Sequence, residues 1–187
     1  TIQFWAIHSL ILLGDRSYTA GLKCFVMEEG PLRDSAIQLA FRVLPLQEAR
    51  AWIGALAEQQ PGSREIIKAT AVLGDPHAIN WLIAQMKDTA LARLAGESFT
   101  TITGIQLVEQ ELVDEEQSVE DLAEDDDSSV AMDEDENLPF PVPEKVAARW
   151  KALASGFIPA QRYFMGKPLE SQWLNELLTN GSARQRY

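Results

Sequence analysis

The stretch AVLGDPHAINWLIAQMKDTALARLAGESFTTITG, residues 71–104, decides the fold because it predicts two short helices joined by a tight turn. Asp75 can accept hydrogen bonds from a first helical turn, and Pro76 suits the first helical position, where no N–H is needed. Asp88 is placed to cap the second helix, and Gly104 to end it in the left-handed conformation. Apolar residues recur at helical spacing in both, so each helix has one apolar face that needs a packed neighbour.

Parts of this unit recur along the chain. Three segments align on their glycines: ILLGD at 11–15, AVLGD at 71–75 and YFMGK at 163–167. Trp81 and Trp173 then share one position, and Arg33 and Arg93 share another further on. Repetition in register predicts repeated helix pairs, in which each glycine ends a helix and the two tryptophans pack. We expect both arginines to bond to carbonyl groups at helix ends; the alternative is a shared ligand groove.

No long segment alternates in the manner of a strand, so the sequence predicts an all-α fold. The motif residues are Gly74-Asp75-Pro76, Asp88, Arg93 and Thr103-Gly104. Together with the leucine-rich helix they resemble a HEAT-like repeat of the short type found in phycobilisome lyases. Further motif residues are Trp150, Arg162-Tyr163 and Gly166-Lys167-Pro168, which follow an acidic insert. With them the chain is similar to an uncharacterised proteobacterial HEAT-repeat family, some of whose members are encoded near type VI secretion components.

The resemblance implies an α-solenoid of antiparallel helix pairs, interrupted by the insert. The function that we expect is that of a protein–protein interaction scaffold or adaptor, because helical-repeat proteins bind partners on extended surfaces. Two alternatives remain open: a small-molecule (tetrapyrrole-type) lyase or chaperone, and an accessory protein of type VI secretion.

The negative charge of the chain is concentrated in one segment. The formal net charge of the 187 residues is −12, and 15 of the 28 carboxylates lie in 109–136, which has no Lys or Arg. We expect a solvated insertion; the alternative is a docking element for a basic protein surface, or a mimic of nucleic acid. The candidate contacts are Glu115, Glu116, Asp125, Asp126 and Asp127. The net charge has the wrong sign for binding nucleic acid.

The sequence contains no recognisable catalytic or metal-binding set. The single cysteine, Cys24, excludes an internal disulfide and a cysteine-rich zinc site, and its apolar neighbours predict a buried structural thiol. His8 and His77 have no ligand partner at a suitable spacing. The acidic run lacks the glycine that a calcium loop needs. We therefore predict no enzyme activity, no cofactor and no metal. No apolar run is long enough for a membrane span, and a cytoplasmic location is expected.

The chain divides into three predicted segments: HEAT-like repeats at 1–108, the acidic insert with a proline-rich extended linker at 109–143, and a continuation of the solenoid at 144–187. Phe140 and Val142 are expected to dock the linker onto the repeats. The chain begins and ends within predicted helices, so we expect a fragment of a longer solenoid, truncated at both ends, whose exposed ends self-associate. Three tryptophans at inequivalent positions are candidate anchors for a partner protein: Trp5, Trp52 and Trp150.

Overall fold

A computed structural model describes residues 1–114 and 135–180, and these are mostly helical. Within them the α-helices are α1 (Ile2–Leu12), α2 (Lys23–Met27), α3 (Arg33–Val43), α4 (Leu46–Gln59), α5 (Arg64–Leu73), α6 (Ile79–Gln85), α7 (Thr89–Thr103), α8 (Pro143–Leu153) and α9 (Ser171–Asn180). Short 3-10 helices cover Arg16–Leu22, Pro76–Ala78 and Ala154–Gly156, and a two-stranded hairpin joins β1 (Tyr163–Phe164) to β2 (Lys167–Pro168). The all-α prediction is confirmed in this coarse sense. No helix in the described ranges is both long and apolar enough to cross a membrane.

The chain forms two compact units, Thr1–Leu73 and Gly74–Tyr187. This division differs from the segments predicted from the sequence, since the predicted boundary at 108 lies inside the second unit. The described part of the proline-rich linker also belongs to the second unit. The reason is that packing across the acidic insert joins residues on both sides of it, as the contacts below show.

In the first unit, α3 packs against α2 and α5, and α4 packs against α5. The first turn of α3 lies beside the second turn of α5, where Lys68 Nζ is 3.1 Å from a carboxylate oxygen of Asp34. The breaks between these helices carry Gly30-Pro31, Pro45 and Pro61-Gly62, residues that cannot easily continue a helix. The largest fully buried side chains of the unit are Phe4, Leu22, Ile37, Phe41, Leu56, Ile67 and Leu73.

In the second unit, the helix pair within 71–104 is confirmed. The Asp75 carboxylate accepts from His77 N at 3.1 Å, and that of Asp88 accepts from Ala90 N at 3.0 Å. Gly104 ends α7 with a φ of 72°, and its N–H donates to Thr100 O. α6 packs against α7 and against α8, which lies beyond the acidic insert.

The third glycine of the aligned set does not end a helix, and this prediction is wrong. Met165 and Gly166 form the turn of the β1–β2 hairpin, with φ values of 52° and 79°. Positive φ at both central residues is the geometry of a tight two-residue hairpin turn. Glycine suits this turn and a helix end for the same reason, a left-handed backbone. The alignment therefore detected the backbone conformation and assigned it to the wrong element.

Candidate interaction surfaces

The three candidate tryptophans differ in exposure. Trp5 is 49% exposed, whereas Trp52 is 4% and Trp150 is 8% exposed. Trp52 packs edge-on against Phe41, and Trp150 lies between Phe99 and Phe157. Because the indoles of Trp52 and Trp150 are buried, little of them is accessible to a partner. Trp5 is the one of the three that stays a candidate anchor. Glu115, Glu116, Asp125, Asp126 and Asp127 lie outside the described residues.

Helix α1 exposes apolar side chains on the face opposite to its core. It carries no charged residue, and it buries Phe4, Ile7 and Ile11. A surface helix normally has polar residues on its outer side. Here the outer side carries large apolar side chains whose exposed fractions reach 86% and 88%: Ile2, Trp5, Leu12 and Leu13. Ile2, Leu12 and Leu13 were not among the predicted contacts, because an uncharged run such as residues 2–12 does not show which of its sides faces the core.

The ring of Trp5 is held in place by other aromatic rings. Its centroid lies 5.1 Å from that of Phe4 and 5.4 Å from that of His8, both edge-on. Phe4 is in turn packed edge-on against Phe25 at 5.3 Å. A rigid exposed indole loses little conformational entropy when a partner covers it, which favours binding. The geometry of α1 is thus that of a preformed apolar surface.

Residues 135–142, which we call the strap, lie against α7. Arg93 Nη1 donates to Glu136 O at 2.8 Å and to Leu138 O at 2.5 Å. The guanidinium also lies 5.8 Å from the ring centroid of Phe140. The prediction that Arg93 bonds to carbonyl groups is correct, but these carbonyls belong to the strap. Arg33 does bond to a carbonyl group near a helix end, through Nε to Val26 O at 3.0 Å.

The strap is extended where its prolines require it, as predicted. Asp114 N donates to Phe140 O at 2.9 Å, and Val142 N donates to Leu112 O at 2.8 Å. Phe140 and Val142 are only half-buried, and the buried residue between them is Pro141. A Cβ on Gly96 of α7 would lie 3.2 Å from Pro141 Cγ, so the absence of a side chain there permits this contact. Residues 114 and 140 are thus hydrogen-bonded neighbours, which fixes both ends of the acidic insert at one place.

The β1–β2 hairpin meets two glycines of the motif through its backbone. Tyr163 N donates to Gly74 O at 2.7 Å, and Met165 N donates to Thr101 O at 2.7 Å. Gly166 N donates to Ile102 O at 3.1 Å, so the hairpin satisfies carbonyl groups at the end of α7. The motif glycines Gly74, Gly104 and Gly166 therefore meet at one junction, where close backbone packing accounts for them without a ligand.

Cys24 and the two histidines belong to no candidate metal-binding cluster in the described ranges. Cys24 is exposed, which contradicts the predicted buried thiol. The reason is that the short helix α2 buries only Val26, so Cys24 lies on its outer side. His8 packs edge-on against Trp5, and His77 is exposed. Residues 1–114 and 135–180 contain no group of three His, Cys, Asp or Glu side chains that could hold a metal ion.

Comparison of the chain with protein-family models, with curated proteins and with solved structures gave no match. The resemblance to HEAT-like repeats therefore stays a prediction. Among the described residues, the outer face of α1 is the surface that is best suited to binding.

Proposed function

We propose that this protein is an interaction scaffold built from HEAT-like helix pairs, which binds another protein through the outer face of α1. The observation that carries the proposal is the exposed apolar stripe of α1, which includes the indole of Trp5 packed against neighbouring aromatic rings. Exposed apolar patches with a rigid aromatic residue are typical of protein–protein interfaces.

Two features support the helical-repeat part of the proposal. The Gly-Asp turn occurs in both units, and each time a 3-10 helix and then an α-helix follow it. In the first unit, α3 packs against α5, although α4 lies between them in the sequence, and α4 packs against α5. Stacking of every second helix is the way in which helical repeats bury their apolar faces. Among the described residues, no observation favours the lyase-type alternative or the secretion role, and both stay predictions.

Affinity capture from cells that naturally express this protein tests the proposal. Trp5→Ala should reduce the amount of the captured partner about tenfold or more, since a central tryptophan commonly contributes 2 kcal/mol or more to an interface. Tyr18→Ala is a matched control, because Tyr18 is an aromatic residue of equal exposure, 50%, that lies outside α1. Circular dichroism would verify that both variants fold. Equal recovery of the partner by Trp5→Ala, by Leu12→Asp and by the unmodified protein would contradict the proposal.

A further inference from the structure

We propose that the outer face of α1 pairs with the same face of a second copy of this chain, the two helices running antiparallel. The inference rests on the proposed function, since it names a partner for the same surface. The outer face is defined by six residues that the structure leaves exposed: Ile2, Trp5, Ala6, Ser9, Leu12 and Leu13.

These six residues form one continuous stripe. At about 100° of rotation per residue, all six fall within roughly 120° of arc, with Ser9 near the middle. The buried residues Phe4, Ile7 and Ile11 lie on the opposite side of the helix. Residues that contact the core and residues that are free to contact a second copy are therefore cleanly separated.

The stripe is complementary to itself in size. Its ends carry the large side chains of Ile2 and Leu12, and its middle carries the small side chains of Ala6 and Ser9 beside Trp5. In an antiparallel pair with a two-fold axis near Ile7, each Ile2 faces Leu12 of the other copy. Each Trp5 then faces Ser9 of the other copy, whose small side chain leaves room for the indole. Such reciprocal contacts are what a two-fold symmetric interface requires.

The charges of α1 also favour a second copy. Residues 2–13 contain no Asp, Glu, Lys or Arg, so two identical faces meet without repulsion between like charges. A charged partner surface would lose its hydration against this face and gain no opposite charge, which costs free energy. Antiparallel helices in addition place opposite ends of their dipoles side by side. The electrostatics thus select a neutral apolar surface, and a second copy presents one.

The size of the stripe limits the strength of the pairing. A helix of 11 residues is about 16 Å long, and one face of it provides about half of the roughly 800 Å² per partner found in a standard interface. We therefore expect a reversible monomer–dimer equilibrium with a Kd in the micromolar range, on the order of 10–100 μM.

Sedimentation equilibrium of the full chain, from about 1 to about 500 μM, tests this pairing. The mass should rise from that of the 20.8 kDa monomer towards twice that value. Ser9→Glu and Ser9→Lys should each weaken association about tenfold or more, because each places like charges across the two-fold axis. An equimolar mixture of the two variants should associate more strongly than either variant alone but less than the unmodified protein, because opposite charges then meet while the room for each indole stays reduced. Ser9 is exposed, so neither change disturbs the core, and recovery on mixing requires that the two outer faces meet.

Tyr18→Glu is the matched control, since it adds the same charge to an exposed side chain outside the stripe and should leave the equilibrium unchanged. A protein that stays monomeric at the highest concentration would overturn the inference, as would unchanged dimerisation of Ser9→Glu or no recovery in the mixture. If the unmodified protein does not dimerise but captures a different protein, and Trp5→Ala abolishes that capture, the inference is overturned and the proposed function stays intact. If the protein dimerises through α1 but captures a different protein equally well with and without Trp5, the inference stands and the proposed function is overturned.

Discussion

The same Gly-Asp turn occurs in each unit, with similar local geometry and different surroundings. Gly14 and Gly74 both have positive φ values, 100° and 69°, and each following aspartate accepts from the backbone N–H two residues later. A Cβ on Gly14 would meet no atom within 4 Å, whereas one on Gly74 would overlap Tyr163 O. The turn is thus a local property of the sequence, and tertiary packing decides how much stability depends on it.

Replacement of each glycine by alanine should separate these two contributions. Gly14→Ala should lower the free energy of unfolding only by the cost of a left-handed alanine, about 1–2 kcal/mol. Gly74→Ala has the same cost, and its Cβ also forces β1 away from the turn. The free energy of unfolding should therefore fall by about 3 kcal/mol or more in total. Urea denaturation would measure both changes from the unfolding midpoints. Equal losses in the two variants would show that the contact between Gly74 and Tyr163 contributes little.

Arg33 and Arg93, which align in the sequence, provide the second comparison, with a smaller expected effect. Arg93→Ala removes a charged donor from two carbonyl groups of the strap. We expect the free energy of unfolding to fall by about 2–3 kcal/mol. Hydrogen exchange should accelerate at the amides of Asp114 and Val142, whose hydrogen bonds hold the strap. Arg33→Ala should cost about 2 kcal/mol, with faster exchange near the end of α2, where Val26 O loses its donor.

A lysine variant of Arg93 makes this test more specific. Arg93→Lys keeps the charge, but its ammonium ends about one bond short of the position of Nη1, the single nitrogen that donates to both Glu136 O and Leu138 O, and it has no guanidinium plane beside Phe140, so it should restore only part of the protection. The outcome that would contradict the assignment is unchanged exchange at Asp114 and Val142 in Arg93→Ala. Arg149→Ala is a control, because Arg149 is an exposed residue of α8 that bonds to the side chain of Gln110.

The features that the sequence predicted correctly are local ones. Asp75 and Asp88 cap their helices, Gly104 ends α7, and the prolines keep the strap extended, because each depends on a few neighbouring residues. The contact of Arg93 with carbonyl groups was predicted from its alignment with Arg33. Which carbonyls it meets did not, since the strap lies more than forty residues further along the chain.

Exposure was the feature that the sequence could not predict. Trp52 and Trp150 are as apolar as Trp5, and only the packing of aromatic rings around them shows that they are buried. Gly166 has the left-handed backbone that the alignment detected, but the pairing of Tyr163 with Pro168 made it a hairpin turn. The outer face of α1 was likewise hidden in a run of apolar residues that gave no sign of which side would face the core.

The two aspartates of the turns provide the third comparison, with the smallest expected effect. The hydroxyl of Ser17, and then its backbone N–H, donate to Asp15 and lower the pKa of this carboxyl below its usual value of 3.8. A group whose pKa is lowered by folding stabilises the folded state above its usual pKa, and this contribution disappears as the pH falls through the folded value. Asp15→Ala should therefore lower the unfolding midpoint slightly at pH 7 and converge with the unmodified protein in acid.

An NMR titration of the Asp15 carboxyl checks this directly, and Ser17→Ala is the matched variant. It removes the hydroxyl donor but keeps the N–H, so the pKa of Asp15 should rise part of the way back to 3.8. Asp15→Asn keeps an oxygen acceptor for the cap and should lose only the dependence on pH. Asp75→Ala should cost more than Asp15→Ala, about 1–2 kcal/mol, because the cap of Asp75 is buried. A pKa of Asp15 at or above its usual value would show that Ser17 does not hold the carboxylate in solution.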